Sequence, residues 1–92
     1  MNDNAELHIQ RNVYDITTYK FGVGFCCNTN KPFYFDKEDY KKIKGYQWFE
    51  GRNGVIKTID NIVLDRFIFG AKKVVHKNGD TFDNRKVNLK CA

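Results

Sequence analysis

Proline is almost missing from this chain, with one residue in 92, and methionine and tryptophan also occur once each. Collagen-like, proline-rich and low-complexity classes are thereby excluded. Cysteine is scarce too. Cys26, Cys27 and Cys91 are odd in number and two are adjacent, a poor disulfide framework that points to a reducing compartment. No apolar run approaches the roughly 18 residues that a membrane span needs. The opening Met1-Asn2-Asp3-Asn4-Ala5-Glu6 lacks the basic and apolar regions of a signal peptide. A soluble, cytoplasmic protein is expected, with no membrane partner. There is no internal repeat and no linker.

What the chain does have is aromatic and basic character. A hydrophobic fraction of 41% with 15% aromatics describes a folded protein, and 92 residues allow one domain, 1–92, with a modest core. The net charge of +5 is unevenly placed. Residues 1–46 hold seven basic and six acidic side chains, whereas residues 47–92 hold nine and five. Ala71 to Ala92 alone carry six basic and two acidic groups, which suits a polyanionic partner or an acidic protein surface.

Periodicity predicts an α+β fold: N-terminal strands and hairpins, two short helices, and a strand-and-turn unit at the C-terminal end. Residues 7–27 read as strand, with Gly22 and Gly24 marking a bend or bulge. Asn28 to Pro32 is turn chemistry, and Phe33-Tyr34-Phe35 is strand again. Asp36 is a suitable helix N-cap, Lys41, Lys42 and Lys44 suit the helix C-terminal end, and Gly45 is placed to stop it. Tyr40 and Ile43 form the buried stripe. Tyr46–Phe49 and Val55–Ile59 read as a hairpin around Gly51-Arg52-Asn53-Gly54. Residues 60–69 are the second helix candidate, capped by Asp60 or Asn61 and ended by Gly70. Val74-Val75-His76 is a short strand, Asn78-Gly79 a tight hairpin turn, and Asp83 to Asn88 a helical or looped return.

The informative stretch is Val74-Val75-His76-Lys77-Asn78-Gly79-Asp80-Thr81-Phe82-Asp83-Asn84-Arg85-Lys86-Val87-Asn88-Leu89. A strand delivers His76, an Asn-Gly turn follows, and Asp-Asn-Arg and Asn-Leu come at fixed offsets. This resembles the ββα-metal core of HNH endonucleases of the phage and mobile-element type. The likeness extends upstream through Phe35–Tyr40, Tyr46-Gln47-Trp48 and Leu64–Gly70, so it covers residues 33–92, while residues 1–32 carry no such likeness. It implies a protein at work in the cytoplasm of a bacterial host.

In that family one divalent ion and a histidine general base cut a phosphodiester, because the base needs a pKa near neutrality and the ion stabilises the leaving oxygen. The resemblance gives His76 the base position and Asn88 the position that orients it. Asn84 and Arg85 fall where the family stabilises the loop or touches phosphate. Two positions depart from the pattern. Val75 occupies the first ligand site and has no donor atom, and the third ligand position falls beyond Ala92, the last residue of the sequence. Asp65 stands where many relatives carry a histidine between Leu and Arg. Asp80 and Asp83 are close in sequence, but the family uses them in the turn. No metal site and no cofactor are therefore expected, a divalent ion entering only if the site is rescued.

Three functions follow from this reading. The first is a catalytically degenerate HNH-derived module that binds nucleic acid, DNA above RNA, or a nucleoprotein complex, through Lys72, Lys73, Lys77, Arg85, Lys86 and Lys90. The second is an inhibitor of a host defence nuclease, anti-CRISPR-like, whose basic face occupies a nucleic-acid channel or an acidic patch. The third is a residual metal-dependent endonuclease or nickase, completed by another subunit or a longer chain. Plainer readings stand beside these. His76 can be a half-buried residue tying down a loop through Asn88, and the lysines a solvated face. Asp83, Asn84 and Asn88 can satisfy backbone groups. A zinc site from the three cysteines and His76 is disfavoured by the adjacency of Cys26 and Cys27. Tyr46, Trp48 and Phe49 suit the core, and an exposed member could stack on bases.

Overall fold

A computed structural model describes residues 11–92. Seven short strands form three small sheets, joined by two short helices, an α+β arrangement. The first sheet has the order β1 (Tyr14–Asp15), β2 (Gly22–Phe25), β3 (Pro32–Phe35) and is antiparallel throughout. A 3-10 turn at Lys37–Asp39 leads into α1 (Tyr40–Ile43). The hairpin β4 (Phe49–Glu50) and β5 (Ile56–Lys57) precedes α2 (Leu64–Phe69). The chain closes with the antiparallel pair β6 (Val74–His76) and β7 (Leu89–Cys91), joined by residues 77–88. No helix among the described residues is long and apolar enough to cross a membrane.

The N-terminal strand expectation resolves into a hairpin: residues 16–21 turn between β1 and β2, and residues 7–10 lie outside the described residues. Gly22 and Gly24 do not bend or bulge the sheet. They pair in regular register with Phe35 and Phe33, and a Cβ at either position would run into the ring of its partner. In an antiparallel pair, residues directly opposite project to the same face. Two large rings can lie flat across β2 only if β2 presents hydrogens there. Phe33 and Phe35 are thereby fully buried, and Tyr14 meets both edge-on, with ring centroids 6.3 and 5.8 Å away.

The core joins these rings to Ile43 of α1, Trp48, Ile56, Leu64 and Ile68 of α2, and Leu89 of β7. Tyr40 packs against it, as its spacing from Ile43 suggests. Trp48 places its indole N–H on the Ile43 carbonyl at 2.9 Å, which satisfies the donor it buries. Asn12 fastens the N-terminal sheet to this centre. Its amide donates to the carbonyls of Phe25 and Trp48 (2.8 and 2.9 Å) and accepts from the Trp48 N–H (2.8 Å).

Helix boundaries differ from expectation for local reasons. Asp36 stands at the N-cap position of the 3-10 turn but makes no side-chain cap; its carboxylate accepts from the Lys86 N–H at 3.1 Å instead. The second helix starts at Leu64, not residue 60. Asn61 adopts φ 67° in a turn closed by the Thr58 N–H on the Ile62 carbonyl, and Val63 is extended, bridging to Lys57. β-Branched Ile62 and Val63 suit that extended path better than a first helical turn. Gly70 does close α2, in the left-handed conformation at φ 78°.

The Asn78-Gly79 pair opens a loop and does not close a hairpin. Its turn is held by the Gly79 N–H on the His76 carbonyl at 3.0 Å, with Gly79 at φ 78°. The partner of β6 is β7, in the register Val74↔Cys91, Val75↔Lys90, His76↔Leu89. Between them, residues 82–84 bind the outer edge of β3: Tyr34 N–H to the Phe82 carbonyl and Asn84 N–H to the Tyr34 carbonyl, both 2.8 Å. A 3-10 turn at Lys86–Asn88 returns the chain to β7.

Candidate functional site

His76 ends β6 with its side chain 8% exposed. Its Nε2 lies 2.9 Å from Oδ1 of Asn84, a residue 1% exposed that the β3 edge holds in place. An amide oxygen only accepts, so Nε2 is the donor in this pair. The Asn84 amide is itself oriented by donation to the Thr81 carbonyl at 3.4 Å. Asp65, in the first turn of α2, brings Oδ2 to 3.8 Å from the same Nε2. Its Oδ1 is buried and has no hydrogen-bond partner among the described residues.

Asn88 does not orient His76. Its amide donates to Asn78 Oδ1 and to the Asp83 carbonyl, both at 2.9 Å, and accepts from the Asn78 N–H at 3.0 Å. Asn78 in turn accepts from the Asp80 N–H at 2.8 Å and donates to Asp83 at 3.3 Å. The two asparagines form a closed polar ring that pins residues 78–88. Asn88 therefore shapes the loop, and the orienting role falls to Asn84. No pattern signal separates the two, since both lie within a dozen residues of His76 and only the pairing of residues 82–84 with β3 decides which amide reaches the ring.

The six basic residues divide into two groups. Arg85 forks onto Asp83, with Nε at 2.8 Å and Nη2 at 2.7 Å, and its guanidinium lies 5.2 Å from the Phe21 ring centre. That hydrogen-bonded guanidinium holds the Asp83 carboxyl below the usual carboxylate range. Lys86 sits among Asp39 (2.7 Å), Glu38 (3.0 Å) and Asp36 (3.5 Å). Partial burial works against its charge, yet hydrogen bonds to Asp39 and Glu38 carry its pKa upward. Both cations, expected on a binding face, are engaged in ion pairs of the fold, with 36% and 37% of their side chains still exposed. Lys72, Lys73, Lys77 and Lys90 are exposed and make no ion pair among the described residues. Backbone bonds at Lys77–Asn88 and Ala92–Lys73 extend the β6–β7 ladder past both ends. Alternation then sets Lys73, Val75 and Lys77 on one face, with Lys90 opposite Val75.

Among the described residues, those around His76 do not assemble a donor set for a divalent ion. Val75 is 38% exposed and has no donor, Nε2 of His76 is committed to Asn84, and Asp65 supplies a single carboxylate nearby. Among the described residues no three His, Cys, Asp or Glu side chains gather as a donor set. The cysteines do not change this. Burial pushes the Cys26 thiol up to about 11 and raises Cys27 as well, so both stay protonated at neutral pH. Comparison with protein-family models, with curated proteins and with solved structures finds no match to this chain.

Proposed function

We propose that this chain is a catalytically degenerate HNH-derived module that binds nucleic acid through the solvent face of the β6–β7 ribbon. The observation that carries the reading is the separation of the cations: Lys73, Lys77 and Lys90 surround Val75 on one exposed face, with Lys72 beside them, while Arg85 and Lys86 are neutralised internally. Unpaired lysines on a small ribbon favour phosphate contacts, which position a nucleic acid without reading its sequence. Support for descent from a nuclease core lies in the strand–loop–strand order, with His76 ending the first strand and Asn88 entering the second. The chemistry of that core is incomplete here, because among the described residues the histidine has the single Asp65 carboxylate near it and no group of three donors.

Fluorescence anisotropy against salt tests the reading. Duplex DNA should bind with a log–log salt slope of about −3, and each lysine-to-alanine change at Lys73, Lys77 or Lys90 should reduce that slope by about one. Arg85→Ala and Lys86→Met should leave the slope unchanged. Binding to a nuclease complex but not to free nucleic acid would transfer the reading to an inhibitor. Nicking of supercoiled plasmid with magnesium, manganese or nickel that disappears in His76→Ala would restore the enzyme.

A further inference from the structure

The two faces of the β1–β3 sheet differ. The inner face carries the Phe33 and Phe35 rings into the core. The outer face, on which Tyr34 lies by strand alternation, borders a cleft of about 530 Å³ lined by Tyr19, Phe21, Tyr34, Asp15, Asp80 and Arg85. Tyr19 and Phe21 stack in parallel at 5.4 Å and 7°, and Phe21 meets Tyr34 edge-on at 5.6 Å. Tyr19 remains 52% exposed, so a flat aromatic surface stands open to solvent. Three carboxylates border it, of which Asp83 is engaged by Arg85. Asp15 Oδ1 accepts from the N–H groups of Thr17 and Thr18 at 3.1 Å, and Asp80 Oδ1 from the Phe82 N–H at 2.9 Å. Asp15 also accepts from the Thr17 hydroxyl at 3.5 Å and from the Thr18 side chain, whereas Asp80 Oδ2 has no hydrogen bond among the described residues.

These groups select a ligand by complementarity. Ring faces suit a flat π-system, carboxylate oxygens accept N–H donors, and the carboxylates repel phosphate. A nucleobase satisfies all three conditions if its phosphates lie elsewhere. Lys77 is three residues from Asp80, at most about 11 Å along the backbone, so a strand with a base in the cleft can keep its backbone near the lysine ribbon. Guanine presents two N–H donors on one edge. Thymine presents one, flanked by carbonyl oxygens that a carboxylate opposes.

We propose that this cleft takes one unpaired base of a single-stranded nucleic acid, guanine in preference to thymine, with Tyr19 as the stacking face and Asp15 and Asp80 as acceptors. The inference rests on the nucleic-acid reading above and names the form of ligand that the interface takes. The test is anisotropy of the whole chain with a short labelled oligothymidine, the same strand with a central guanine, and a duplex. The guanine strand should bind about tenfold tighter than the thymine strand. Tyr19→Ala should abolish that preference and leave duplex binding intact, while Tyr19→Phe keeps it; a melting curve checks that the variant is folded. Asp15→Asn combined with Asp80→Asn should erase the preference while raising affinity for oligothymidine. Equal binding of all three probes, unmoved by Tyr19→Ala, would overturn the cleft proposal and leave the ribbon reading standing. Failure of every probe to bind would remove both. An arginine-rich peptide that binds in a Tyr19-dependent way while the guanine strand does not would make the occupant a basic protein segment and overturn the proposal.

Discussion

The N-terminal sheet and the C-terminal ribbon with its loop are held by opposite means. The sheet contributes fully buried Phe33 and Phe35 and the close glycine–ring contacts behind them. From residues 74–92, only Leu89 belongs to the buried apolar core among the described residues, while Asp83, Asn84 and Asn88 are buried polar groups from the same segment. Apolar packing tolerates local breathing, because the contacts are many and non-directional. A buried amide ring is directional, and losing one member strands the others. The loop that carries the candidate site is thus shaped mainly by hydrogen bonds and ion pairs, with Phe82 packed against the core.

The contrast can be broken most forcefully at the sheet. Phe33→Ala should cost about 3–5 kcal/mol in urea unfolding, a large share of the stability of so small a domain. Gly24→Ala, which drives a methyl group into the rings of Phe33 and Tyr14, should cost about 1–3 kcal/mol by overpacking and show as a lowered melting temperature. On the ribbon side, Asn88→Ala leaves the Asn78 N–H and Asp83 carbonyl unpaired, and should cost about 1–3 kcal/mol. Hydrogen exchange should localise that loss to residues 77–88 and leave β2 and β3 protected, which distinguishes loop opening from global unfolding.

Acid should sharpen the difference further. The folded Asp83 carboxyl is depressed by Arg85, so its contribution is complete above the ordinary carboxylate range and drains away as pH falls through the folded value. Loop amides should lose protection there before those of the sheet, and Arg85→Met should shift the loss to higher pH. The smallest effect belongs to Glu38→Gln, whose side chain is 74% exposed; solvent screening limits it to less than about 0.5 kcal/mol in thermal melts.

Much of the fold was legible in the residues. Alternating aromatics marked the strands, Gly70 marked the end of α2, and Tyr40 with Ile43 announced a buried stripe, because these signals depend on local backbone preference and side-chain periodicity. The glycines of β2 stand out in the sequence but their purpose does not, since it is set by rings nine and thirteen positions away. The candidate site was legible in its members and not in its connections. His76, Asn84, Asn88 and the basic residues stand out by type and spacing, but which asparagine reaches the histidine depends on the β3 edge.

By itself the sequence determined the α+β class, the small aromatic core and a C-terminal excess of positive charge, all of which follow from composition and from period. Tertiary structure decided which charges stay available. Arg85 and Lys86 have the same formal charge as Lys77 and Lys90, yet carboxylates delivered by Asp83 and by the turn at residues 36–39 neutralise them. Ion pairing falls steeply with distance, and distance between residues 50 positions apart is a property of the folded chain alone.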